Sequence, residues 1–366
     1  MEFVNFIDVC NDVTKTARKI PQSLYKESGK YAIFDQGKDF IGGYTDEEEN
    51  VCNNYPYIVF GDHTRILKYI NQPCYIGADG VKLLKVYNHK FNEKYVYYYL
   101  VANPVQSQGY SRHYKFLKSQ SIKYIELEYQ IKIVNEIDSL YKNIDLCNCL
   151  IKKLDNIVKS QFIEMFGDLT SNYDYPKFKI DDLAFVTKLA GFEFTEYINY
   201  QSSGDIIMLR GLNCKNGKLV LDDIKWIDVE TSKKLPRSQL FNGDILMTYA
   251  GTVGDVALVD EDDKYHLAPN VAKISLTDKL SNNPVFFIHL FMFTKDYILS
   301  NTAGVAQMAL SMKKIRDFEY HIPPIELQNK FADFVQQIDK SKFIVQKQIK
   351  LLEELLEKKM NEYFGQ

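Results

Sequence analysis

Ile125-Glu126-Leu127 recurs as Ile325-Glu326-Leu327, a spacing of 200 residues. Two further echoes stand at nearly the same offset. Val134-Asn135-Glu136-Ile137-Asp138 returns as Val335-Gln336-Gln337-Ile338-Asp339 with one residue inserted, and Glu164-Met165-Phe166-Gly167 returns as Glu362-Tyr363-Phe364-Gly365 at a spacing of 198. A fainter pair, Val13-Thr14-Lys15 and Val186-Thr187-Lys188, is 173 apart. An internal repeat of this kind fixes an architecture before any single motif does. The order is variable region, repeated segment, variable region, repeated segment.

The repeated segments predict long helices with a seam. Positions 133, 137, 140, 144, 147, 151, 154, 158, 161 and 165 alternate in steps of four and three, and nine of the ten are apolar. Positions 331, 335, 338, 342, 345, 349, 352, 356, 359 and 363 do the same, with eight of ten apolar. Neither stretch holds a proline, and Gly167 and Gly365 stand where C-caps belong. A 3.5-residue apolar period over several turns predicts coiled-coil packing, and two matched stripes predict that the helices pack antiparallel on each other. Spanning about 128–166 and 328–364, each would be roughly 55–58 Å long at 1.5 Å per residue. Their charges are balanced, so neither reads as a basic arm. This gives four segments: a first domain at 1–122, a spacer helix at 123–166, a second domain at 167–322 and a second spacer helix at 323–366.

Composition narrows the class. The chain has 366 residues, 46% hydrophobic and 25% charged, which excludes disordered and collagen-like chains. No apolar run is long enough to span a bilayer, and the N-terminus lacks a basic then apolar leader, so a cytoplasmic protein with no membrane partner is expected. Six cysteines without a CxxC pair predict reduced, structural thiols and no metal site. A net charge of −3 argues mildly against nucleic acid.

The variable regions read as strand-rich α+β domains. Tyr57–Phe60, Val81–Val86, Asp205–Arg210, Gly217–Val220, Gly243–Thr248 and Val256–Val259 predict strands, Lys94–Leu100 a strand or a short helix, and 284–299 a helix. Gly61-Asp62, Asp79-Gly80 and Gly251-Thr252-Val253-Gly254 mark turns.

Catalytic signatures are missing. Gly-Lys is never followed by Ser or Thr, so there is no P-loop. There is no Pro-Asp to begin a nuclease motif, no His-Glu-x-x-His and no Gly-x-Ser-x-Gly. Candidate contact residues sit in turns instead. His63, Arg65 and Lys68 follow the first Gly-Asp turn, and Tyr110, Ser111, Arg112, His113 and Lys115 follow a glycine. In the second region Arg210, Lys215, Lys218, Lys233, Lys234 and Arg237 are cations at strand ends and in loops. Arg and Lys suit phosphates and guanine edges, although a lone surface cation is by default only solvated. The acidic runs Asp46-Glu47-Glu48-Glu49 and Asp260-Glu261-Asp262-Asp263 should face away from phosphate.

The pattern resembles the specificity subunit of type I restriction–modification systems, in which two target-recognition domains alternate with two long helices. Pro323-Pro324-Ile325-Glu326-Leu327-Gln328 resembles the entry to the second helix of that family, and Phe166-Gly167-Asp168 the exit from the first. Gly243–Thr248 with Gly251, Gly254 and Asn270-Val271-Ala272 resembles one recognition-domain core. Phe60–Arg65, Gly77-Ala78-Asp79-Gly80 and Gly109–Lys115 resemble another subtype. The first domain–helix junction, Tyr124-Ile125-Glu126-Leu127, departs from the pattern by lacking prolines. The resemblance implies a non-catalytic chain that reads double-stranded DNA, each domain taking one half of a bipartite site and the helices setting the spacing. It implies two modification (methyltransferase) subunits as partners, which carry S-adenosylmethionine, so that no cofactor belongs to this chain. It also implies a motor–nuclease subunit in systems that restrict. Two alternatives stay open on the residues alone: a recognition subunit serving a stand-alone or fused methyltransferase, and a coiled-coil scaffold without DNA.

Overall fold

The computed structural model describes residues 2–109, 111–302 and 309–365. In chain order the first region holds β1 (Glu2–Asn5), β2 (Cys10–Asp12), β3 (Lys19–Ile20), β4 (Tyr31–Phe34), β5 (Gly43–Thr45), β6 (Tyr57–Gly61), β7 (Leu67–Ile70), β8 (Cys74–Gly77), β9 (Val81–Val86), α1 (Glu93–Ala102), α2 (Tyr114–Leu117) and β10 (Ser121–Tyr124). Helix α3 (Leu127–Phe166) comes next. The second region holds β11 (Lys177–Lys179), α4 (Ile180–Leu183), β12 (Ala184–Lys188), α5 (Gly191–Tyr197), β13 (Ile206–Leu209), β14 (Cys214–Lys215), β15 (Lys218–Leu219), β16 (Lys225–Ile227), α6 (Val229–Lys234), β17 (Gln239–Leu240), β18 (Ile245–Thr248), β19 (Val256–Leu258), β20 (Tyr265–Leu267), β21 (Val271–Leu276), α7 (Pro284–Phe293), α8 (Lys295–Ser300), α9 (Met312–Arg316) and β22 (Glu319–His321). Helix α10 (Ile325–Phe364) follows β22.

The chain forms two compact units, one of Met1–Cys149 with Val345–Gln366 and one of Leu150–Ile344. Each therefore takes part of both long helices. Both helices run 40 residues without a break, and none of the twenty seam positions is exposed. That is the physical content of the 3.5 period, since a helix with one covered face buries every third or fourth residue. Within the first unit Lys359 Nζ of α10 pairs with Glu136 Oε1 of α3 at 3.1 Å, and the Tyr363 hydroxyl donates to the same carboxylate. Within the second, Lys342 Nζ meets Asp155 Oδ1 at 2.5 Å and the rings of Phe162 and Phe331 lie 5.2 Å apart. Low numbers on one helix meet high numbers on the other, so they pack antiparallel. Lys342 breaks the apolar α10 seam, and its pair with Asp155 answers the charge.

The variable regions share one sheet topology under unrelated sequences. In the first unit the order is β2-β9-β6-β7, all antiparallel, and in the second β12-β21-β18-β19, also antiparallel. Register makes the match residue by residue: Gly61 pairs with Val81 as Thr248 pairs with Val271, and Ile58 with Leu84 as Ile245 with Ile274. A second sheet joins β4 parallel to β8 in one unit and β13 parallel to β20 in the other. Its edge differs, because β3 runs parallel to β8 whereas β17 runs antiparallel to β20. The short pairs β1–β10 and β11–β22 then bring each domain back to the start of its long helix.

The register also corrects the faint sequence echo. Asp12 pairs with Leu84 as Val186 pairs with Ile274, so the counterpart of Val186 is Asp12 and not Val13. A one-residue slip reverses which face a side chain takes, so the Val-Thr-Lys similarity carries no structural equivalence.

The predicted strands form as expected within a residue or two at their ends. Lys94–Leu100 is helical, because Asn92 caps it by accepting from the backbone N–H of Lys94 and Tyr95 at 3.0 Å. The helix predicted at 284–299 divides at Thr294, whose hydroxyl donates to Leu290 O at 2.7 Å. Asn283 caps its start in the same way as Asn92 caps α1. All six cysteines are free, and Cys149 is exposed while the others are buried.

Candidate nucleic-acid interface

Three stretches of the first unit that lie far apart in sequence meet at Asp62. Strand β6 ends at Gly61 and the chain turns back through Arg65, whose φ is 63°. The Asp62 N–H donates to Gly80 O at 2.7 Å, which joins the turn to the β8–β9 loop. The His113 N–H donates to Asp62 O at 2.8 Å and the Tyr114 N–H to Asp62 Oδ1 at 2.7 Å, which joins the start of α2. Asp62 is buried, so its carboxylate serves the fold by holding an otherwise orphaned N–H at a helix start. Asp62→Ala is therefore expected to cost about 1–3 kcal/mol, the penalty for a buried donor left unmade. Asp62→Asn, which keeps an acceptor, is expected to recover most of it. Urea unfolding of the three proteins would check this.

Around the junction lies a patch of cations and aromatic rings. Lys82 Nζ stands 4.8 Å from the Tyr114 ring centroid and Lys118 Nζ 5.5 Å from it, while Lys115 Nζ lies 4.7 Å from the Phe116 ring. Lys82 also pairs with Asp12 at 2.9 Å. Burial, and secondarily the neighbouring Asp12, pushes the Tyr114 phenol up to about 12, so it stays a neutral donor at any physiological pH. Arg112 and Lys115 are exposed beside it. These are the donors that phosphate oxygens and base edges take, next to rings on which sugars and bases pack.

The structure sorts the sequence candidates of this unit. Arg112, Lys115 and the half-buried Ser111 stay on the surface of the patch, while Tyr110 lies outside the described residues. Lys68 does not belong there. The alternation of β7 turns it inward, where it is 2% exposed, with Nζ donating to Asp39 O at 2.6 Å and lying 3.4 Å from Asp35 Oδ1. Burial lowers its pKa, and Asp35 works against that shift. His113 is also inward. Its Nδ1 lies 3.1 Å from Asp62 O and its Nε2 accepts from the Gln108 N–H at 3.2 Å, which fits the neutral Nδ1–H tautomer. Both are buried structural groups, and His113 is the one that holds the junction at Asp62. Arg65 is committed too, since Nη1 donates to Val105 O at 3.1 Å, and the His63 N–H donates to Gln36 Oε1 at 3.3 Å.

The same junction is built in the second unit. Tyr249, the counterpart of Asp62, donates its N–H to Asn270 O at 3.0 Å and accepts the Leu310 N–H at 2.8 Å. Gly80 and Asn270 occupy the same place with φ of 61° and 69°. Lys188 Nζ lies 5.1 Å from the Tyr249 ring. The cations chosen from sequence are not gathered here. Arg210 is tied to Asp223 at 2.9 Å, Lys218 to Asp339 of α10 at 2.9 Å, and Arg237 to Glu193 at 2.9 Å. Lys233 and Lys234 end α6, and Lys215 lies exposed in β14. Lys82, Lys118, Lys188 and Tyr249, which lie at these two junctions, were not among the sequence candidates. The only available signal was the register that sets them beside the turns.

The acidic run of the first unit is neutralised locally: Lys26 meets Asp46 at 2.8 Å, Lys30 meets Glu48 at 2.6 Å, and Arg18 meets Glu47 at 2.9 Å. Among the described residues no group of three His, Cys, Asp or Glu side chains could hold a metal ion. No helix there is long and apolar enough to cross a membrane.

Two domains on a shared helix pair, each presenting the same turn junction, call for comparison with known proteins. Residues 172–354 match the sequence model of the type I restriction modification DNA specificity domain. The chain belongs to this family of type I specificity subunits. A stretch of 147 residues, 39% of this chain, is 25% identical to the specificity subunit of the type I restriction enzyme EcoBI of Escherichia coli. The match spans 31% of that relative's length. The S subunit of a type I restriction–modification system from M. genitalium has the same fold, with a TM-score of 0.58 over 98% of this chain and 95% of that one at 12% identity. A chain solved in a study of complex assembly and conformational transition of the type I system also gives 0.58, over 99% and 97%, again at 12% identity. The α+β architecture with two long antiparallel helices is thus that of the type I specificity subunits.

Proposed function

We propose that this chain is the DNA sequence-recognition subunit of a type I restriction–modification complex, that it carries no catalytic step itself, and that each unit reads one half of a bipartite duplex site. The observation that carries the proposal is the repeated junction. One chain places the same three-stretch turn assembly, with at least one lysine beside an aromatic ring, in two units of unrelated sequence. A protein that reads two different half-sites needs that combination: a common frame that positions, with different side chains that specify. Membership in the family, and the resemblance to the EcoBI specificity subunit, give the same direction. On this reading α3 and α10 set the distance between half-sites and dock two modification subunits. Those subunits hold S-adenosylmethionine and transfer its methyl group to adenine, and in a restricting system a motor–nuclease subunit joins them. Partner subunits would also supply phosphate contacts, which lets a chain of net charge −3 bind DNA in their company.

The test is the methylome of cells with and without this chain. The expected result is one bipartite motif whose methylation vanishes with the gene. An unchanged methylome, together with no salt-dependent duplex binding by the purified complex, would leave a scaffold instead. Within the first unit, Arg112→Ala is expected to relax base preference in one half-site by about 1–3 kcal/mol and leave the other unchanged, if Arg112 takes a guanine edge. A uniform loss across unrelated duplexes would make Arg112 a phosphate contact. Selection from a duplex library randomised in both halves separates the two.

A further inference from the structure

We propose that the second unit makes its own duplex-DNA contact through Lys188, Tyr249 and the Gly251–Gly254 turn, in the place where the first unit carries Lys82, Tyr114 and the Asp62–Arg65 turn. The inference rests on the reading of the chain as a DNA-recognition subunit, and names the residues by which its second half would contact DNA.

Four observations converge there. The backbone junction is the same, with the Asp62 pattern of bonds to Gly80 and His113 repeated by Tyr249 with Asn270 and Leu310. An ammonium lies over a tyrosine ring at both places, at 4.8 Å for Lys82 on Tyr114 and 5.1 Å for Lys188 on Tyr249. The two lysines come from different strands. Lys188 in β12 pairs with Ala272, and Ala272 occupies the position of Lys82 in the equivalent strand. The pairing is thus kept although both partners have changed place, the lysine by one strand and the ring from the start of α2 to the Asp62 position, which chain packing alone does not require. Third, Lys188 is exposed, and among the described residues no carboxylate lies within ion-pair distance of it. Lys82 shares its charge with Asp12, and Arg210, Lys218 and Arg237 each have a carboxylate too, so the charge of Lys188 is the one among these that no ion pair answers. Fourth, Gly251 has φ of 85°, and a Cβ placed on it would meet nothing within 4 Å. A bare, left-handed backbone facing open space lets a phosphate approach its N–H groups closely. Tyr249 offers an apolar ring to a sugar or a thymine methyl beside the lysine that holds the phosphate.

The experiment uses the full chain assembled with its modification subunits, and library selection and salt titration on duplex DNA. Lys188→Ala is expected to weaken binding and to reduce the slope of log K against log salt by about one. Tyr249→Ala is expected to relax base preference in the half-site that Arg112→Ala leaves intact, and Tyr249→Phe, which keeps the ring, to select as the unaltered protein does. If Tyr249→Ala fails to fold, the salt slope of Lys188→Ala and the selection by Tyr249→Phe carry the test. Unaltered slope and selection in both Lys188→Ala and Tyr249→Ala, or relaxation in the Arg112 half-site, would overturn the assignment while leaving the DNA reading in place. Absence of salt-dependent binding by the unaltered complex would overturn both.

Discussion

Four residues inserted into each long helix, near Ile151 and near Ile349, are expected to change the methylated motif by one or two base pairs in its gap and by nothing in its halves. Each insertion adds about 6 Å of rise at 1.5 Å per residue. A base pair adds about 3.4 Å along the duplex, so the lengthening corresponds to nearly two base pairs. Four residues also rotate the remainder of the helix by about 40°, because 3.6 residues make one turn. DNA advances roughly 34–36° per base pair over a turn of 10–10.5, so one added base pair takes up a rotation of that size. The seams stay close to register, since four is one of the two steps by which they are built. The motivating observation is that α3 and α10 run unbroken for 40 residues, with every seam position covered. Methylome sequencing reads the result directly. Methylation of the original motif at its original spacing would mean that the helices are not the ruler.

Phe162→Ala is expected to destabilise the second unit by about 3–5 kcal/mol, the usual range for emptying a buried aromatic site. Phe162 is 2% exposed. Its ring lies 5.0 Å from Phe166, 5.8 Å from Phe286, 5.2 Å from Phe293 and 5.2 Å from Phe331. These rings come from α3, α7 and α10, so one side chain ties both long helices to the domain that they carry. Four aromatic neighbours cannot collapse into the vacated space without leaving their own edge-to-face contacts. Phe162→Leu keeps most of the volume and is expected to lose less than half as much. Phe343→Ala is the control: that ring is 66% exposed, and its loss is expected to stay within about 0.5 kcal/mol in the isolated chain. Urea unfolding monitored by circular dichroism would check all three. A loss for Phe162→Ala no larger than the control would show that the aromatic cluster does not fasten the helices.

The repeat and its seams were legible because helix burial is periodic along the chain. A residue covered on one face returns every third or fourth position, so the ten seam positions from Ile133 to Met165 announce a covered helix with no partner in view. Strands such as Tyr57–Gly61 and Val81–Val86 were legible for a related reason, since runs of β-branched and aromatic residues between turn residues suit a pleated, buried surface. The family resemblance came from these together, and the match over residues 172–354 agrees with it.

The interface was legible only in part. Asp62–Arg65, Asp79-Gly80 and Gly109–Lys115 were each visible as turn-bearing stretches, but that they meet at the Asp62 backbone is set by long-range bonds to Gly80 and His113. Lys68 was misjudged because a lysine is almost always at the surface, and only the alternation of β7 beside Asp35 and Asp39 turns it inward. The second unit shows the limit most clearly. Arg210, Lys218 and Arg237 stand out in the sequence as loop cations, yet each finds a carboxylate that sequence distance hides, at Asp223, Asp339 and Glu193. Lys188 and Tyr249, 61 residues apart, carry no signal in the sequence that joins them and become a pair through strand register. The two long helices, the repeat and the six strands β6, β9, β13, β15, β18 and β19 were thus legible from the chain, because those depend on neighbours within a turn or a pleat. Which charges are answered and which face outward is settled only in three dimensions, because a Coulomb partner is chosen by distance in space.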